Sequence, residues 1–485
     1  MINVRQNKGF ALVFSLIFLV LIISFMAVYI LAVANGISQA NRTANGKKAY
    51  YVAEAGLVDA YERIMQAGSN FNAPAAGTNF IPSAGTDPGV YAVGKSTGNY
   101  TVTVSLSSSP STNYTVTSTG TFGKTAKTLQ LKMTWASISK YAYWSQTELN
   151  PAFGGPLWWV GEPGLQMLTN GPVQTNGQLN IFGNPTFYGP VTESNLPILS
   201  DGTLGKIPTS TTPNYYAGVW SDPSIIFLGG VENDAPPVSV PPQNTLSLLS
   251  SLASSGQGLM LTGASTIFFN PTGTITVTGV VKNAQGNVTA TYNNTTINAP
   301  SNGVIYVQSN PGQQDGNATV QGTVNGQLTV AADQNIFLSG SVAYNNDPRP
   351  TPTNPAGNPN STDMLGLVAN YNITIIEASA PTKLEVSGVL EAIQGSFQVD
   401  QYWAYRGDSS TAVMDQYGSL INYVCGATGE MDWSGNLLGG WNQIQSYDPR
   451  LLKISPPGFP PMINSSGNPV YSKLNIQECV SGVCG

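Results

Sequence analysis

The residue types that most often carry catalysis are scarce in this chain. Its 485 residues include no histidine, which excludes Ser-His-Asp and Cys-His catalytic groups and removes the commonest metal ligand. Phosphate-binding loops of the form Gly-x-x-x-x-Gly-Lys and EF-hand loops are also missing from the sequence. The remaining option is a pair of carboxylates, which can hydrolyse glycosidic bonds. Acidic residues are densest at Asp400, Asp408, Asp415, Glu430 and Asp432.

Solvated loop acids, or a weak calcium site, are the simpler interpretation of this acidic group, because no catalytic motif accompanies it. We therefore predict that the chain is not an enzyme and has no catalytic residue, no cofactor and no metal-binding residue. A membrane-anchored carbohydrate-active protein is the function hypothesis with the least support.

Two pairs of adjacent aromatic residues, Trp158-Trp159 and Tyr402-Trp403, could contact a ligand. Indole and phenol rings stack on sugars and on nucleic-acid bases. Packing within a core or an interface is the alternative role, and the sequence alone favours it.

All three cysteines, Cys425, Cys479 and Cys484, lie near the C-terminal end. The absence of a Cys-x-x-Cys pair argues against zinc. Cys479 and Cys484 could close a small disulfide loop, which a location outside the cytoplasm favours. Three free thiols are the alternative.

The composition is poor in charge and typical of a β-rich chain. Charged residues make up 9% of the chain and hydrophobic residues 41%, with 52 glycines and 33 prolines. Disordered chains combine low hydrophobicity with high net charge, so this chain is expected to fold. The net charge of −6 argues weakly against a broad nucleic-acid interface. The length predicts at least two structural units.

The N-terminus combines a short basic leader with a long apolar segment. Arg5 and Lys8 lie in residues 1–9, and residues 10–34 contain no charge. A secretory signal has an apolar region of about 7–15 residues. This longer segment can cross a membrane as a helix, with the leader in the cytoplasm and the rest exported.

A helical pattern continues beyond the apolar segment, and Gly68 is its predicted end. One apolar stripe recurs at helical spacing at Ala49, Val52, Ala53, Gly56, Leu57, Ala60, Tyr61 and Ile64.

These N-terminal features resemble type IV prepilins. Lys8-Gly9 followed by Phe10 is similar to their processing site, and residues 49–57, AYYVAEAGL, resemble the A-x-x-A-A-E-A-G-L signature of PilX-type minor pilins, with Val52 as the departure. The resemblance implies that prepilin peptidase cleaves after Gly9, that Phe10 becomes N-methylated, and that the helix binds other pilin subunits. It implies a single-pass inner-membrane location before assembly and a pilus or cell-surface location afterwards.

Phe14 departs from the major pilins. They carry glutamate at the fifth mature position, where it is thought to pair with a neighbour's terminal amine, and this chain has Phe14 there. Tip subunits of the type II secretion pseudopilus also lack the glutamate. We therefore favour a minor subunit at or near the filament tip, although the glutamate could also be dispensable here.

The predicted fold class is mainly β with a long N-terminal α-helix: a pilin-like α+β module, then a large β-solenoid. Residues 99–106, 114–120 and 128–135 alternate in polarity and predict a small antiparallel sheet. Gly171-Pro172-Val173 recurs as Gly189-Pro190-Val191, and short β-like segments follow. A sandwich or barrel is open as an alternative, but two segments with a shared pattern, 328–340 and 365–375, favour stacked rungs.

Residues 447–452 and 456–460 resemble the ending of large pseudopilins that combine a PilX-type N-terminus with a β-solenoid, some of which are linked to DNA uptake. The predicted organisation is a prepilin leader at 1–9, a transmembrane and filament-core helix at 10–34, a pilin-like helix and sheet at 35–136, a β-solenoid-like domain at 137–405, and a C-terminal capping region with the disulfide at 406–485.

Two functions compete after the enzyme hypothesis is set aside. A minor pilin or pseudopilin that acts in pilus assembly and adhesion would bind a surface or a glycan. A DNA-uptake pseudopilin would need cations for phosphates, but residues 141–405 contain only Lys206, Lys282, Arg349 and Lys383. We therefore favour the adhesive subunit.

Overall fold

The chain is mainly β with one long N-terminal helix, which confirms the coarse fold class predicted from the sequence. The computed structural model describes residues 8–67, 89–93, 96–106, 114–150, 155–156, 159–162, 165–166, 168–177, 179, 181–183, 185–194, 227–232, 235–238, 244–349, 358, 360–403, 412–431, 437–459, 462 and 471–479.

Among these residues the α-helices are α1 (Lys8–Ala67) and α2 (Asn244–Ser254), and the 3-10 helices are Ile138–Lys140 and Pro449–Leu452. The strands are β1 (Gly89–Val93), β2 (Ser96–Leu106), β3 (Tyr114–Phe122), β4 (Thr125–Trp135), β5 (Tyr143–Thr147), β6 (Leu149–Asn150), β7 (Gly155–Pro156), β8 (Trp159–Glu162), β9 (Leu165–Gln166), β10 (Leu168–Thr169), β11 (Val173–Thr175), β12 (Ile181–Gly183), β13 (Thr186–Phe187), β14 (Val191–Glu193), β15 (Val231–Glu232), β16 (Leu259–Phe269), β17 (Thr274–Lys282), β18 (Val288–Asn298), β19 (Val304–Gln308), β20 (Ala318–Val324), β21 (Gln327–Ala332), β22 (Ile336–Tyr344), β23 (Met364–Ala369), β24 (Ile373–Ile375), β25 (Lys383–Ala392), β26 (Phe397–Val399), β27 (Val413–Val424), β28 (Gly429–Met431), β29 (Leu437–Gly440), β30 (Asn442–Ser446) and β31 (Tyr471–Cys479).

The chain forms two compact units, and the second is inserted into the first. The first unit contains residues 1–134 and 471–485, and the second contains residues 135–470. In the first unit α1 packs on a five-stranded sheet with the order β1-β2-β3-β4-β31, in which β1 to β4 pair antiparallel.

The second half of α1 packs on this sheet through its predicted apolar stripe. Of that stripe, the side chains that are at most 2% exposed are Ala49, Val52, Ala53, Leu57, Ala60 and Ile64. Gly56 lies on the same face, and a Cβ atom there would sit 2.3 Å from Ser118 Oγ and 2.8 Å from Tyr100 Cδ2. A glycine at this position therefore permits the close approach of helix and sheet.

The C-terminal region differs from the predicted capping region at 406–485. Strands β27 and β30 lie in the large parallel sheet of the second unit, and β31 lies next to β4 in the first unit. Lys127 Nζ on β4 contacts Glu478 Oε1 on β31. The predicted boundary at 405 therefore falls inside the parallel sheet. Pairing between strands this distant in sequence cannot be recognised locally, because the alternation of buried and exposed side chains in a strand is the same whichever strand it pairs with.

The second unit is built around stacked parallel strands. One row contains β19, β21, β23, β25 and β27, each paired in parallel with the next. A second row contains β16, β20, β22, β24 and β26. Strand β16 takes part in both rows, since residues 259–262 pair with β19 and residues 265–269 pair with β20. At one end β17 and β18 add an antiparallel hairpin to β16.

The first strand of this unit lies in the middle of the stack. Strand β5 pairs in parallel with β27 on one side and with β11 on the other. The stack then continues through β14 to β15. The chain therefore starts in the middle of the stack with β5 and forms one end with β11, β14 and β15. It then crosses to β16 at the other end and returns through the first row to β27, next to β5. Met462 N donates to Ala136 O at 2.6 Å, so the two ends of the unit meet.

Side chains at the corners connect successive levels of the stack. Asn335 N donates to Asn317 Oδ1 at 3.1 Å, Asn372 N to Asn335 Oδ1 at 3.0 Å, and Ser396 N to Asn372 Oδ1 at 2.9 Å. Phe397 N donates to Asn422 Oδ1 at 2.7 Å. These amides satisfy backbone donors where the chain turns. Segment 365–375 forms two strands, β23 and β24, separated by the turn that contains Asn372.

The two Gly-Pro-Val segments also stack on each other. Val173 pairs with Val191, and Val191 pairs with Val231. A Cβ atom at Gly189 would lie 2.1 Å from Gly171 O, so the close approach of these two turns requires a glycine.

Two apolar clusters stabilise the second unit. The interior cluster lies between the strand rows and includes Leu367, Leu390 and Leu420. The outer cluster lies on the other side of the first row and includes Val368 and Ile421. The outer cluster is covered by α2, residues 136–144, residues 447–459 and Met462, because all of them contribute side chains to it.

Candidate functional site

The first half of α1 presents a continuous apolar surface. Every large apolar side chain from Leu12 to Val33 is at least 42% exposed. Among the described residues, α1 is the one helix long and apolar enough to cross a membrane. By length and composition, this helix could anchor the chain in a membrane.

The two serine hydroxyls in this half are satisfied within the helix. Ser15 Oγ donates to Leu12 O at 2.9 Å, and Ser24 Oγ donates to Val20 O at 2.8 Å. No charged residue occurs between Lys8 and Arg42. The segment can therefore enter hydrocarbon without an unsatisfied serine hydroxyl or an uncompensated charge.

The predicted processing site lies at the beginning of α1, which includes Gly9 and Phe10. Phe14 is 64% exposed on the helix surface. Cleavage after Gly9 and methylation of Phe10 stay predictions.

The outer side of α1 carries a feature that sequence reasoning missed. A groove of about 520 Å³ runs from this side of the helix to the edge of the sheet, and it is lined by Tyr51, Val58, the acids Glu54, Asp59 and Glu62, and Tyr100 of β2. Tyr51 is 56% exposed and Val58 is 44% exposed. Three acidic residues and no lysine or arginine line the groove, so its lining is negatively charged.

This face had a signal in the sequence. Ile37, Ala44, Tyr51 and Val58 recur every seven residues, a spacing that keeps side chains on one face of a helix and is typical of helix–helix contacts. Ile37 is 58% exposed. The stripe that packs on the sheet dominated the pattern, so this second stripe passed unnoticed.

Asp59 connects the groove to the sheet. Tyr100 Oη donates to Asp59 Oδ2 at 2.9 Å, and Arg63 Nε donates to Asp59 Oδ1 at 2.9 Å. Burial, together with the hydrogen bond to the Asp59 carboxylate, raises the pKa of Tyr100 to about 12. The phenol therefore stays protonated and keeps this contact at physiological pH.

The predicted aromatic contacts have different environments. Trp159 is 3% exposed and packs between Tyr143 and Phe187, with ring centroids at 4.8 and 5.2 Å. It is a core residue, as the alternative interpretation expected. Trp158 lies outside the described residues.

The second pair has one exposed member. Trp403 is 61% exposed, and its ring centroid lies 5.1 Å from that of Tyr402 in an edge-on arrangement. Gln401 before them has a φ of 47°, which is uncommon for a residue with a side chain. Trp403 therefore lies in a turn with most of its side chain exposed, and its contact with a ligand stays a prediction.

The acidic group does not form a pair of free carboxylates in the described residues. Asp400 Oδ1 accepts a hydrogen bond from Glu377 N. Asp415 binds Arg349 through both oxygens at 2.9 and 3.0 Å. Glu430 lies in β28. Asp408 and Asp432 lie outside the described residues, and the described ones contain no group of three metal-binding side chains.

Arg349 neutralises acids that the parallel register places side by side. Glu385 and Asp415 are register partners on β25 and β27, so their like charges lie on neighbouring strands. The Arg349 guanidinium contacts both at 3.0 and 2.9 Å and Asp347 at 2.8 Å. It also lies 4.5 Å above the Tyr417 ring. This arginine is therefore occupied and not free to bind phosphate.

Cys479 is disulfide-bonded, whereas Cys425 is outside any disulfide. Cys484 lies outside the described residues, so the pairing of Cys479 with Cys484 stays a prediction. Burial raises the pKa of the Cys425 thiol well above its usual value, which keeps it protonated.

No protein-family model matches the chain, and no curated protein matches it. A solved structure, the competence-associated pilin ComZ from Thermus thermophilus, matches over 90% of this chain and 97% of its own, with 14% sequence identity and a TM-score of 0.31. At this TM-score neither a fold nor a function is transferred to this chain.

Proposed function

We propose that the chain is a minor type IV pilin or pseudopilin, at or near a filament tip, that carries a binding domain for a surface or a glycan. The observation that carries the proposal is the division of α1 into two halves. One half exposes apolar side chains from Leu12 to Val33, and the other buries a stripe on the small sheet. Such a helix can anchor in a membrane and later pack among other subunits without unfolding the attached domain.

The second stripe of α1 supports assembly through this helix. Ile37, Tyr51 and Val58 are large apolar side chains exposed on one face. Apolar side chains at heptad spacing normally pack on a partner helix. The proposed partners are therefore other pilin subunits, after processing by prepilin peptidase in the inner membrane.

A β-solenoid is our interpretation of the second unit. Strands β16, β25 and β27 each pair with different strands along their two halves, as expected for a chain that coils around corners. The asparagines at successive turns support the same interpretation. In a simple barrel each strand would have one neighbour on each side along its whole length.

Two of the basic side chains in the second unit already bind other side chains of the protein, which favours adhesion over DNA uptake. Arg349 is bound by three carboxylates, and Lys282 Nζ donates to Asn310 Oδ1. Few cations remain to neutralise phosphates in this region, so DNA binding through the backbone would be weak. The exposed Trp403 offers a stacking surface that needs no charge.

The test is to label the protein on intact filaments and to count it by quantitative proteomics. We expect label at filament ends and a copy number far below that of the major subunit. Abundance equal to the major subunit, or label along the whole shaft, would refute the tip assignment.

Ligand binding by the second unit, residues 135–470, is tested separately on the full chain. Titration with glycans and with DNA across salt concentrations should give glycan binding that is insensitive to salt and lost in Trp403→Ala. Tight DNA binding that falls steeply with salt would replace adhesion by DNA uptake.

A further inference from the structure

A lysine, an asparagine and an aspartate meet in the second unit, where β16 lies between β17 and β19. Lys282 is the last residue of β17, and Asn310 and Asp315 lie in the segment between β19 and β20. All three residues are half-buried. A covalent bond between Lys282 and Asn310 would therefore connect the hairpin of β17 and β18 to the stacked rows across β16.

The Asn310 amide is held between the amine of Lys282 and the carboxylate of Asp315. Lys282 Nζ donates to Asn310 Oδ1 at 2.5 Å, and Asn310 Nδ2 donates to Asp315 Oδ2 at 2.6 Å. Asn310 N also donates to Asp315 Oδ1 at 2.8 Å. A lysine ammonium can only donate and an ionised carboxylate can only accept, so these two partners fix the orientation of the amide. The amine therefore faces the carbonyl group, and the carboxylate faces the amide nitrogen.

The lysine nitrogen lies close to the amide carbon that it would attack. Because a C=O bond is about 1.23 Å long, this contact places Lys282 Nζ within about 3.7 Å of Asn310 Cγ. Well-oriented intramolecular reactions start with the reacting atoms about 3–3.5 Å apart. Only a small movement of the lysine side chain therefore separates the hydrogen bond from attack.

Asp315 is placed to move the proton that such an attack releases. Hydrogen bonds from the side chain and the backbone of Asn310 lower the pKa of Asp315, so the carboxylate is ionised near neutral pH and can accept a proton. After attack both nitrogens are bonded to Asn310 Cγ, and a carboxylate that contacts Nδ2 lies close to the lysine nitrogen as well. Asp315 can therefore take a proton from the lysine nitrogen and give it to the departing nitrogen.

Two neighbouring residues leave the Asn310 amide open to the lysine. Pro311 follows Asn310 and has no backbone N–H, so the next backbone nitrogen cannot attack the asparagine side chain. Residue 263 is a glycine, where a Cβ atom would lie 3.1 Å from Asn310 Nδ2 and 3.6 Å from Asp315 Oδ2. The lack of a side chain there leaves space beside the nitrogen that departs.

We propose that Lys282 and Asn310 join in an intramolecular isopeptide bond, with Asp315 as the proton carrier. Lys282 first loses one proton to solvent. Its neutral amine then forms a bond from Nζ to Asn310 Cγ, the bond from Cγ to Nδ2 breaks, and one proton passes through Asp315 from Nζ to Nδ2, so that ammonia leaves. The reaction needs no oxidant and no second protein, and it is independent of filament assembly and of the ligand.

The experiment is mass spectrometry of peptides from the denatured full chain after digestion with trypsin. Trypsin cleaves after a free lysine but not after an acylated one, and Pro350 prevents cleavage after Arg349. The wild type should therefore give one peptide of residues 207–383, lighter by one ammonia molecule than its sequence, in place of the peptides 207–282 and 283–383. Fragmentation should place the link between Lys282 and Asn310.

Variants distinguish this bond from other losses of ammonia. Lys282→Arg keeps the charge but removes the nucleophile, and Asn310→Ala removes the amide, so both should be cleaved at position 282 and have full mass. Asp315→Asn should slow the appearance of the linked peptide after synthesis about a hundredfold, because general acid–base catalysis contributes about this much. The control Lys383→Arg changes an exposed lysine elsewhere and should form the link as the wild type does.

Three results would overturn the proposal. A wild-type chain that trypsin cleaves after Lys282, with both peptides at full mass, would show that the contact is only a hydrogen bond. A loss of ammonia that persists in Lys282→Arg would assign it to another residue. Linking at the wild-type rate in Asp315→Asn would exclude Asp315 as the proton carrier.

Discussion

The two halves of α1 carry apolar side chains in different arrangements. Residues 12–33 expose them on every side of the helix, whereas residues 49–64 concentrate them on one face that the small sheet covers. The small sheet covers the second half, whereas every large apolar side chain from Leu12 to Val33 is at least 42% exposed. The comparison indicates that residues 49–64 pack the helix on the first unit, and it supports the proposed contact of residues 12–33 with lipid or other subunits.

Crowding the helix–sheet contact should produce the largest effect. Gly56→Leu places a side chain where a Cβ atom alone would approach Ser118 Oγ to 2.3 Å. We expect the first unit to lose about 3 kcal/mol of stability, measured by thermal or denaturant unfolding of the full chain.

Gly46→Leu is the matched control in the same helix, since nothing lies within 4 Å of a Cβ atom there. It should be neutral or stabilising by up to about 0.8 kcal/mol, because leucine favours a helix more than glycine does. Equal losses in both variants would contradict the contact described here.

A charge in the first half should change membrane insertion and leave folding intact. Ile22 is 44% exposed, and Ile22→Asp adds a carboxylate that costs about 3 kcal/mol in the bilayer centre. We expect loss of membrane retention or of filament incorporation, measured by fractionation, with an unchanged unfolding transition of the first unit. Normal membrane retention and filament incorporation of this variant would contradict a membrane role for residues 12–33.

The outer face of α1 should affect assembly alone. Tyr51→Ala and Val58→Ala remove exposed side chains, so stability should change by less than about 0.5 kcal/mol. Incorporation into filaments should fall if this face binds a neighbouring helix. The control is Arg42→Ala, which changes an exposed residue outside the seven-residue stripe. Normal incorporation of both stripe variants would exclude this face as an interface.

Local patterns allowed the helix and many strands to be predicted from the sequence. The stripe at 49–64 is buried as its 3.6-residue spacing predicts. Strands β2, β3 and β4 lie within about three residues of the segments predicted at 99–106, 114–120 and 128–135, since alternation marks them. Alternation does not reveal which strand pairs with which. The pairing of β5 with β27 and the return of β31 to the first unit were therefore not foreseen.

The candidate site could be predicted in part for a similar reason. The apolar segment and the processing residues are contiguous, so the sequence displays them directly. The groove at Tyr51 and Val58 has a seven-residue signal that the sheet-facing stripe obscured. Arg349 and its three acids depend on the register of β25 and β27, which no local pattern specifies.

The measurement that tests the pilin-like account most directly is mass spectrometry of the mature N-terminus, purified from membranes and from filaments. The account predicts a chain that begins at Phe10 with one methyl group on its amine, and an unprocessed precursor when Gly9 is replaced by a bulky residue. A chain that retains Met1, or one that begins beyond Ala34, would contradict it.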